Sequence, residues 1–324
     1  ALVTQDMYDV VCGYHLTVIK SHEIDLSGFI HRSIQSHPTK AHFFIESPGI
    51  TRFGLDQDAI GDIPVCVPPK EHRARIVDSI NAETRRISTL IHKKKRFIEL
   101  LKEKRQALIT HAVTKGLNTK VRMKDSGVEW IGEIPAHWEY KRLRHVASFN
   151  NSNVDKKSYD DQTEVLLCNY TDVYYNEFIT PSLDFMKATA SHLEINKFQL
   201  IKGDVIITKD SEDPKDIGIP SLVKQDMSGV ICGYHLTVIR ANEDSLSSFI
   251  HRSIQAHSTK AHFFVESPGI TRFGLDQDAI GDIPVCVPPE DERLQIVGYI
   301  NRQTKRIDTL TRKTQKSIDL LKER

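Results

Sequence analysis

The chain has 324 residues, 39% hydrophobic and 27% charged, with a net charge of +1, a size and composition suited to two ordinary soluble domains. No apolar run approaches the roughly 18 residues that span a bilayer, and no secretory leader pattern opens the sequence, which sets membrane roles aside. The five cysteines, Cys12, Cys66, Cys168, Cys232 and Cys286, sit in apolar strand-like runs and read as buried reduced thiols of a cytoplasmic protein.

The first segment, residues 1–69, reappears later in the chain. Ala1 to Lys104 runs against Ser221 to Arg324 without a gap, and from Phe29 to Pro69 the match with Phe249 to Pro289 is nearly complete. A period this long is no solenoid unit; it duplicates a whole module together with its continuation. Copy two is preceded by residues 128–220, which copy one lacks ahead of it. Residues 1–69 are therefore expected to be a partial domain, from a fragment or a rearranged form of a symmetric two-module protein.

Residues 70–116 form the next predicted element. Pro68 and Pro69 end an extended run and pre-set a helix start. Alternate spacings of four and three then pick out Ile76, Ile80, Glu83, Ile87, Leu90, Lys94, Phe97, Leu101, Lys104 and Leu108. That is the 3.5-residue period of a helix with an apolar seam. A helix of about 40 residues is about 60 Å long, too long to pack within one small domain. The same frame recurs in residues 290–324, a second, truncated spacer helix, at Ile296, Ile300, Gln303, Ile307, Leu310, Thr314, Ser317 and Leu321. The duplicated seam predicts two long antiparallel coiled-coil helices acting as a spacer; pairing with another chain is the alternative.

Charge follows the same division. Lys70 to Lys115 carries thirteen Lys and Arg against five Asp and Glu, about +8, and Glu290 to Arg324 comes to about +3, leaving about −10 for the rest. Attraction to a polyanion is thus expected to be local.

Residues 117–127 read as a polar linker after the capping Gly116. Residues 128–289 read as a complete module, α+β with one helix amid a curved sheet. Its strand-like runs are EVLLCNYTDVYY (Glu164 to Tyr175), GDVIITKDS (Gly203 to Ser211) and GVICGYHLTVIR (Gly229 to Arg240), followed by helix SLSSFIHRSIQAH and a loop containing SPGITRFGL.

Several chemistries lack their residues. No GxxxxGK[ST] phosphate loop and no Asn/Asp-Pro-Pro-aromatic motif occurs, so neither a motor nor an amino-methyltransferase is expected. No CxxC completes a zinc set, and His251, His257 and His262, like His31, His37 and His42, read as surface or hydrogen-bonded helix residues. Asp204 with Lys209 and Asp210 forms the one nuclease-like constellation, Mg²⁺ being held by the acids, though the spacing is short for both to face one ion. Binding fits better. Arg272 in SPGITRFGL, and Arg52 in the first copy, stand between glycines that let backbone and guanidinium approach a phosphate or a guanine edge; packing of a neighbouring strand is an equal reading. Asn150, Asn151, Lys156, Lys157, Asn169, Tyr170, Tyr174, Tyr175, Lys209 and Ser211 add amide, amine and aromatic groups suited to bases and backbone.

The succession of VPP, Arg75-Ile76-Val77, IELLKEKRQALITHAVTKGL (Ile98 to Leu117) and SGVEWIGEIPAHWEYKRL (Ser126 to Leu143) resembles the specificity subunit of type I restriction-modification enzymes over nearly the whole chain. The resemblance implies globular target recognition domains that each read half of a split site in double-stranded DNA, joined by antiparallel helices that fix the half-site spacing. It implies a noncatalytic subunit with two methyltransferase subunits around the helices and restriction or motor subunits beside them. S-adenosylmethionine, ATP and Mg²⁺ then belong to those partners, with no cofactor in this chain. A coiled-coil scaffold that never touches DNA, or a nuclease built on Asp204 and Lys209, are the alternatives.

Overall fold

The computed structural model describes all residues except 6, 48, 50–52, 268, 270 and 324, and all side chains within its helices but those of residues 24 and 215. Two compact units result, Ala1–Lys95 with Ile318–Arg324, and Arg96–Ser317.

The first unit holds helices α1 (Ile24–Ile34), α2 (His37–Glu46), α3 (Gln57–Gly61) and the first part of α4 (Lys70–Lys115). Asp56 starts α3 by accepting the Ala59 N–H at 2.8 Å, satisfying a helix-end donor. Arg32 donates to Asn81 Oδ1 at 2.9 Å, tying α1 to α4, and His42 Nε2 lies 2.8 Å from the Ala59 carbonyl. No strand forms among the described residues of this unit. Cys12 and Cys66 are exposed, against the expectation of burial, because the apolar runs around them have no strand partner here.

The second unit begins with the remainder of α4 and a short hairpin, β1 (Met123–Asp125) against β2 (Glu133–Pro135), so the expected linker contains a strand. β3 (Glu139–Arg142), β4 (Ala147–Asn151) and β5 (Thr163–Cys168) come after it, then α5 (Tyr170–Tyr175), β6 (Phe178–Ile179), β7 (Met186–Ala190) and α6 (His192–Phe198). Next come β8 (Val205–Thr208), β9 (Asp210–Ser211), β10 (Pro220–Val223), β11 (Val230–Cys232) and β12 (Leu236–Ala241). The repeat's helices are α7 (Asp244–Ile254), α8 (His257–Glu266) and α9 (Gln277–Gly281), with β13 (Phe273–Gly274), β14 (Pro284–Val287) and the long α10 (Glu290–Lys322). Helices thus outnumber the single one expected, and YTDVYY is helix α5 rather than strand.

The main sheet has the order β4-β12-β8-β10-β6, antiparallel except where β10 and β6 run parallel. Both its faces are buried, and the period of two sorts the side chains. Val205 and Ile207 of β8 and Ile239 of β12 enter a core with α7 and the long helices. Ile206, Leu236 and Val238 face the second core, under the three-stranded sheet β11-β5-β7. Helix α7 contributes Leu246, Phe249, Ile250 and Ile254, the spacing of one helix face. Each such fully buried side chain contributes roughly 1.5–3 kcal/mol.

The long helices run antiparallel within this unit. Gly116 stands beside Glu292, Ile109 and Ala112 share a core with Ile296 and Ile300, and Arg105 lies 3.5 Å from Asp308. Rising numbers on α10 therefore meet falling numbers on α4. Gly116 ends α4 at φ +75°, where its missing Cβ leaves room for the Trp138 ring. Trp138, fully buried, donates its indole N–H to Glu292 at 3.0 Å and packs edge-on against Phe249.

The seam is shifted from the expected frame. Leu101, Ile296, Ile300 and Ile307 are buried, and Ile76, Ile87, Leu108 and Leu321 are half-buried. Ile80, Leu90, Phe97 and Leu310 are exposed instead, while Ile91, Ile98 and Thr311 are more covered and Thr304 and Ile318 are buried. Both frames share Ile87, Leu101, Leu108, Ile307 and Leu321, but the structure steps four residues where the sequence pattern stepped three. The covered stripe is set by what the opposite side offers, and several of its members are polar, so apolar spacing alone picks the wrong flank.

Candidate nucleic-acid interface

The end of β8 is the junction that positions the candidate site. Lys209, between β8 and β9, donates its N–H to the His235 carbonyl at 3.0 Å, and its own carbonyl accepts the Leu275 N–H at 2.8 Å. β9 in turn pairs with β13, Ser211 against Phe273. One short stretch thus draws together the turn between β11 and β12 and the SPGITRFGL loop. The β11–β12 turn is tight: His235 adopts φ +72°, unusual for a residue with a side chain. The strain aims its ring at Asp210, whose carboxylate lies 2.8 Å from His235 Nδ1.

Arg272 joins that pair. Its guanidinium is 3.4 Å from Asp210 and 3.2 Å from His235 Nδ1, while the side chain remains 62% exposed. Arg272 is thereby presented to solvent on a fixed support, with polar capacity left over. Lys209 places its ammonium 4.9 Å from the Tyr234 ring centre, a cation–π contact that stiffens a long flexible side chain.

Helix α5 supplies the aromatic wall. Asp172 accepts the Asn169 N–H at 2.7 Å, reciprocal capping that starts the helix despite its β-favouring tyrosines. One helical turn apart, Tyr170 and Tyr174 stack with centroids 5.7 Å apart and planes 17° off parallel; Tyr175 meets Tyr174 edge-on at 4.9 Å. Burial pushes the Tyr170 phenol up, while hydrogen bonding to Ser211 opposes that shift and marks the contact of α5 with β9. Tyr174 bonds to the Asp216 carboxylate, which raises its phenol pKa and keeps it a donor.

Of the residues expected from sequence, Tyr170, Tyr174, Lys209, Ser211 and Arg272 are gathered at this junction, with Tyr175 largely exposed beside them. Asn151 sits in β4, accepting from Thr237 at 2.6 Å, and Asn150 is a half-buried neighbour in the same ladder. Lys156 and Lys157 are exposed in the loop after β4, which reaches the site through a 2.7 Å bond from Tyr234 N–H to the Val154 carbonyl. Asn169 serves as the start of α5. Arg52 lies outside the described residues. Tyr234 and His235 were missed by sequence reasoning, though the Gly-Tyr-His break within an apolar run marks the turn that carries them.

The nuclease constellation is not assembled. Asp204 is fully buried, its oxygens each 2.8 Å from Arg240 Nε and Nη2, and one also accepts the Ile201 N–H at 3.0 Å. Asp210 is engaged by His235 and Arg272, and Lys209 by Tyr234. Asp204 is thus a structural ion pair, separate from the cluster around Asp210. Among the described residues no group of three His, Cys, Asp or Glu is placed to hold a metal.

The family described as the type I restriction modification DNA specificity domain matches residues 135–322, more than half of the chain. The chain belongs to that family. The match runs from β2 through the β8–β9 junction into α10, so it covers the candidate interface and one long helix together. A putative type I restriction enzyme MjaX specificity subunit from Methanocaldococcus jannaschii is 19% identical over 185 residues, covering 53% of this chain and 43% of the relative. The chain therefore spans less than half the length of that curated relative. The HsdS subunit of Thermoanaerobacter tengcongensis superposes with a TM-score of 0.51 at 14% identity, covering 92% of this chain and 67% of the other, a likeness of fold. A type I restriction-modification S subunit from M. genitalium gives a TM-score of 0.44 at 10% identity, over 91% and 70%.

Proposed function

We propose that this chain is a noncatalytic DNA sequence-recognition subunit of a type I restriction-modification complex. The observation that carries the reading is the coincidence of the family match with a supported cluster of Lys209, Arg272, Tyr170, Tyr174 and Tyr175. Stacked tyrosines and a held guanidinium are groups that meet bases and phosphates in a duplex, and Lys156 and Lys157 add charge for the backbone. The antiparallel helices act as a spacer that sets the distance between half-sites.

On this reading residues 128–289 recognise one half of a bipartite target. Two methyltransferase subunits bind around the helices, with restriction or motor subunits joining them. S-adenosylmethionine, ATP and Mg²⁺ are used by those partners. The protein works in the cytoplasm; among the described residues no helix is long and apolar enough to cross a membrane.

Binding of one defined duplex over a scrambled competitor, measured with the cognate methyltransferase present across a salt series, tests the reading. A preference that persists at physiological salt supports it. Equal binding of both duplexes at every salt concentration, with the complex still assembled, favours a protein scaffold instead.

A further inference from the structure

What Arg272 can bind follows from how it is held. Among the described residues every bond to its guanidinium is made through Nη2, at 3.4 Å to Asp210 Oδ1, 3.2 Å to His235 Nδ1 and 3.5 Å to His235 Nε2. His235 Nδ1 also lies 2.7 Å from Asp210 Oδ1, and as the donor to that carboxylate it cannot accept from Arg272 as well. Asp210 is therefore the common anchor of both side chains. Nη2 carries two hydrogens, so one remains to form, with Nε or Nη1, a fork of two parallel N–H donors. With the side chain 62% exposed, that fork is open to a ligand.

The backbone beneath the side chain is fixed as well. A Cβ at Gly269 would stand 2.2 Å from the Arg272 carbonyl oxygen, so glycine is what lets the loop close this tightly. Phe273 and Gly274 then pair with Ser211 and Asp210 of β9, which sets Arg272 beside its own anchor. A guanidinium held in this way has little freedom left to lose on binding, which favours a ligand of one fixed geometry.

Charge disfavours a phosphate as that ligand. The stretch from Lys209 to Asp216 carries the carboxylates of Asp210, Glu212, Asp213 and Asp216 against Lys209 and Lys215. A phosphate on Arg272 would stand beside Asp210, whose repulsion offsets the attraction of the guanidinium. A neutral base edge meets no such opposition. It must offer two acceptors side by side, because the fork can donate and nothing else. In the major groove guanine shows N7 and O6, whereas adenine sets an amino donor beside its N7, thymine shows a single carbonyl and cytosine an amino donor.

We propose, resting on the DNA-recognition reading, that Arg272 is a specificity-determining residue that reads one guanine through N7 and O6, with Asp210 and His235 as its positioning residues. The complex with the cognate methyltransferase is titrated with duplexes carrying its mapped methylation target, each guanine in turn replaced by 7-deazaguanine, which keeps the base pair and removes the N7 acceptor. At one guanine the parent complex should lose affinity about 10-fold. In the Arg272→Ala complex that loss should disappear, with the effects at other guanines unchanged. The first measurement alters the DNA alone, so it stands however well the variant folds. Asp210→Asn separates positioning from folding. Its discrimination against 7-deazaguanine should fall severalfold, while binding of a scrambled duplex tightens and its salt slope steepens by about one, as the guanidinium becomes available to phosphates. Equal weakening toward both duplexes removes Asp210 from the positioning role. A target that the parent prefers over scrambled DNA, but in which no guanine shows an N7 effect abolished by Arg272→Ala, overturns the proposal and leaves DNA recognition standing. If Arg272→Ala weakens target and scrambled duplexes alike, with a salt slope reduced by about one, Arg272 is a phosphate contact and the proposal is overturned. Absence of a mapped target, or no preference of the parent complex for it, overturns the DNA-recognition reading itself and this proposal with it.

Discussion

Removing Arg240 should cost more than removing Asp204, although each change breaks the same ion pair. Asp204 is fully buried and the Arg240 side chain is 41% exposed. Arg240→Ala leaves a carboxylate inside the protein with only the Ile201 N–H as partner, an uncompensated buried charge worth about 3–5 kcal/mol. Asp204→Ala leaves a guanidinium that can turn to water, so the loss is two charge-assisted hydrogen bonds and one orphaned N–H, about 2–3 kcal/mol. Urea unfolding monitored by tryptophan fluorescence isolates the relevant unit, because both tryptophans, Trp130 and Trp138, lie within Arg96–Ser317. The Arg240→Ala midpoint should fall further than that of Asp204→Ala. Equal midpoints near that of the parent chain would refute the structural role, and loss of a Mg²⁺-dependent cleavage activity in Asp204→Ala at unchanged stability would restore the catalytic one.

Other consequences are open to measurement. Gly218 has φ +69°, and a Cβ there would stand 2.0 Å from the Phe263 ring, so Gly218→Ala should destabilise the unit by about 2–4 kcal/mol; a shift under about 0.5 kcal/mol contradicts that packing. His251 is held well below its usual 6.5 by burial first and by Arg252 second. The unfolded chain then binds a proton that the folded chain refuses, so this stabilisation is complete above about pH 6.5 and fades as the pH falls, by up to about 1.4 kcal/mol per unit. His251→Gln should flatten the stability profile between about pH 6.5 and 5.5, and an unchanged slope would place the titration elsewhere. Deleting seven residues from α4, two helical turns, should change the half-site spacing tolerated in a DNA target; unchanged spacing would remove the helices from that role.

The repeat, the two long helices and the polarity of their pairing were legible in the sequence, because duplicated spacing and paired prolines are local signals. The flank of the seam was not. Thr304, Thr311 and Arg105 occupy covered or half-covered places that an apolar pattern skips, while Leu90 and Phe97 stand outside. Helix α5 was hidden because its tyrosines favour strands, and the decisive Asn169–Asp172 cap is a three-residue contact easily read as a turn. Several members of the candidate cluster, Tyr170, Tyr174, Lys209, Ser211 and Arg272, were picked out by residue type. Their support was not, since Asp210, His235 and Arg272 are separated by 25 and 37 residues and meet only through strand pairing. The two exposed cysteines show the converse: their runs are patterned for burial, but only the counterparts at Cys232 and Cys286 have strand partners, β5 and β3.

The most direct test of DNA recognition is a genome-wide map of methylated bases in cells carrying the cognate methyltransferase with either the parent chain or a chain in which Lys209, Tyr174 and Arg272 are replaced by alanine. If residues 128–289 read half of a split target, the parent yields one bipartite modified sequence, and the triple variant relaxes or loses that half while the other half is kept. An identical modified sequence with both chains, at equal protein levels, would contradict recognition through this site.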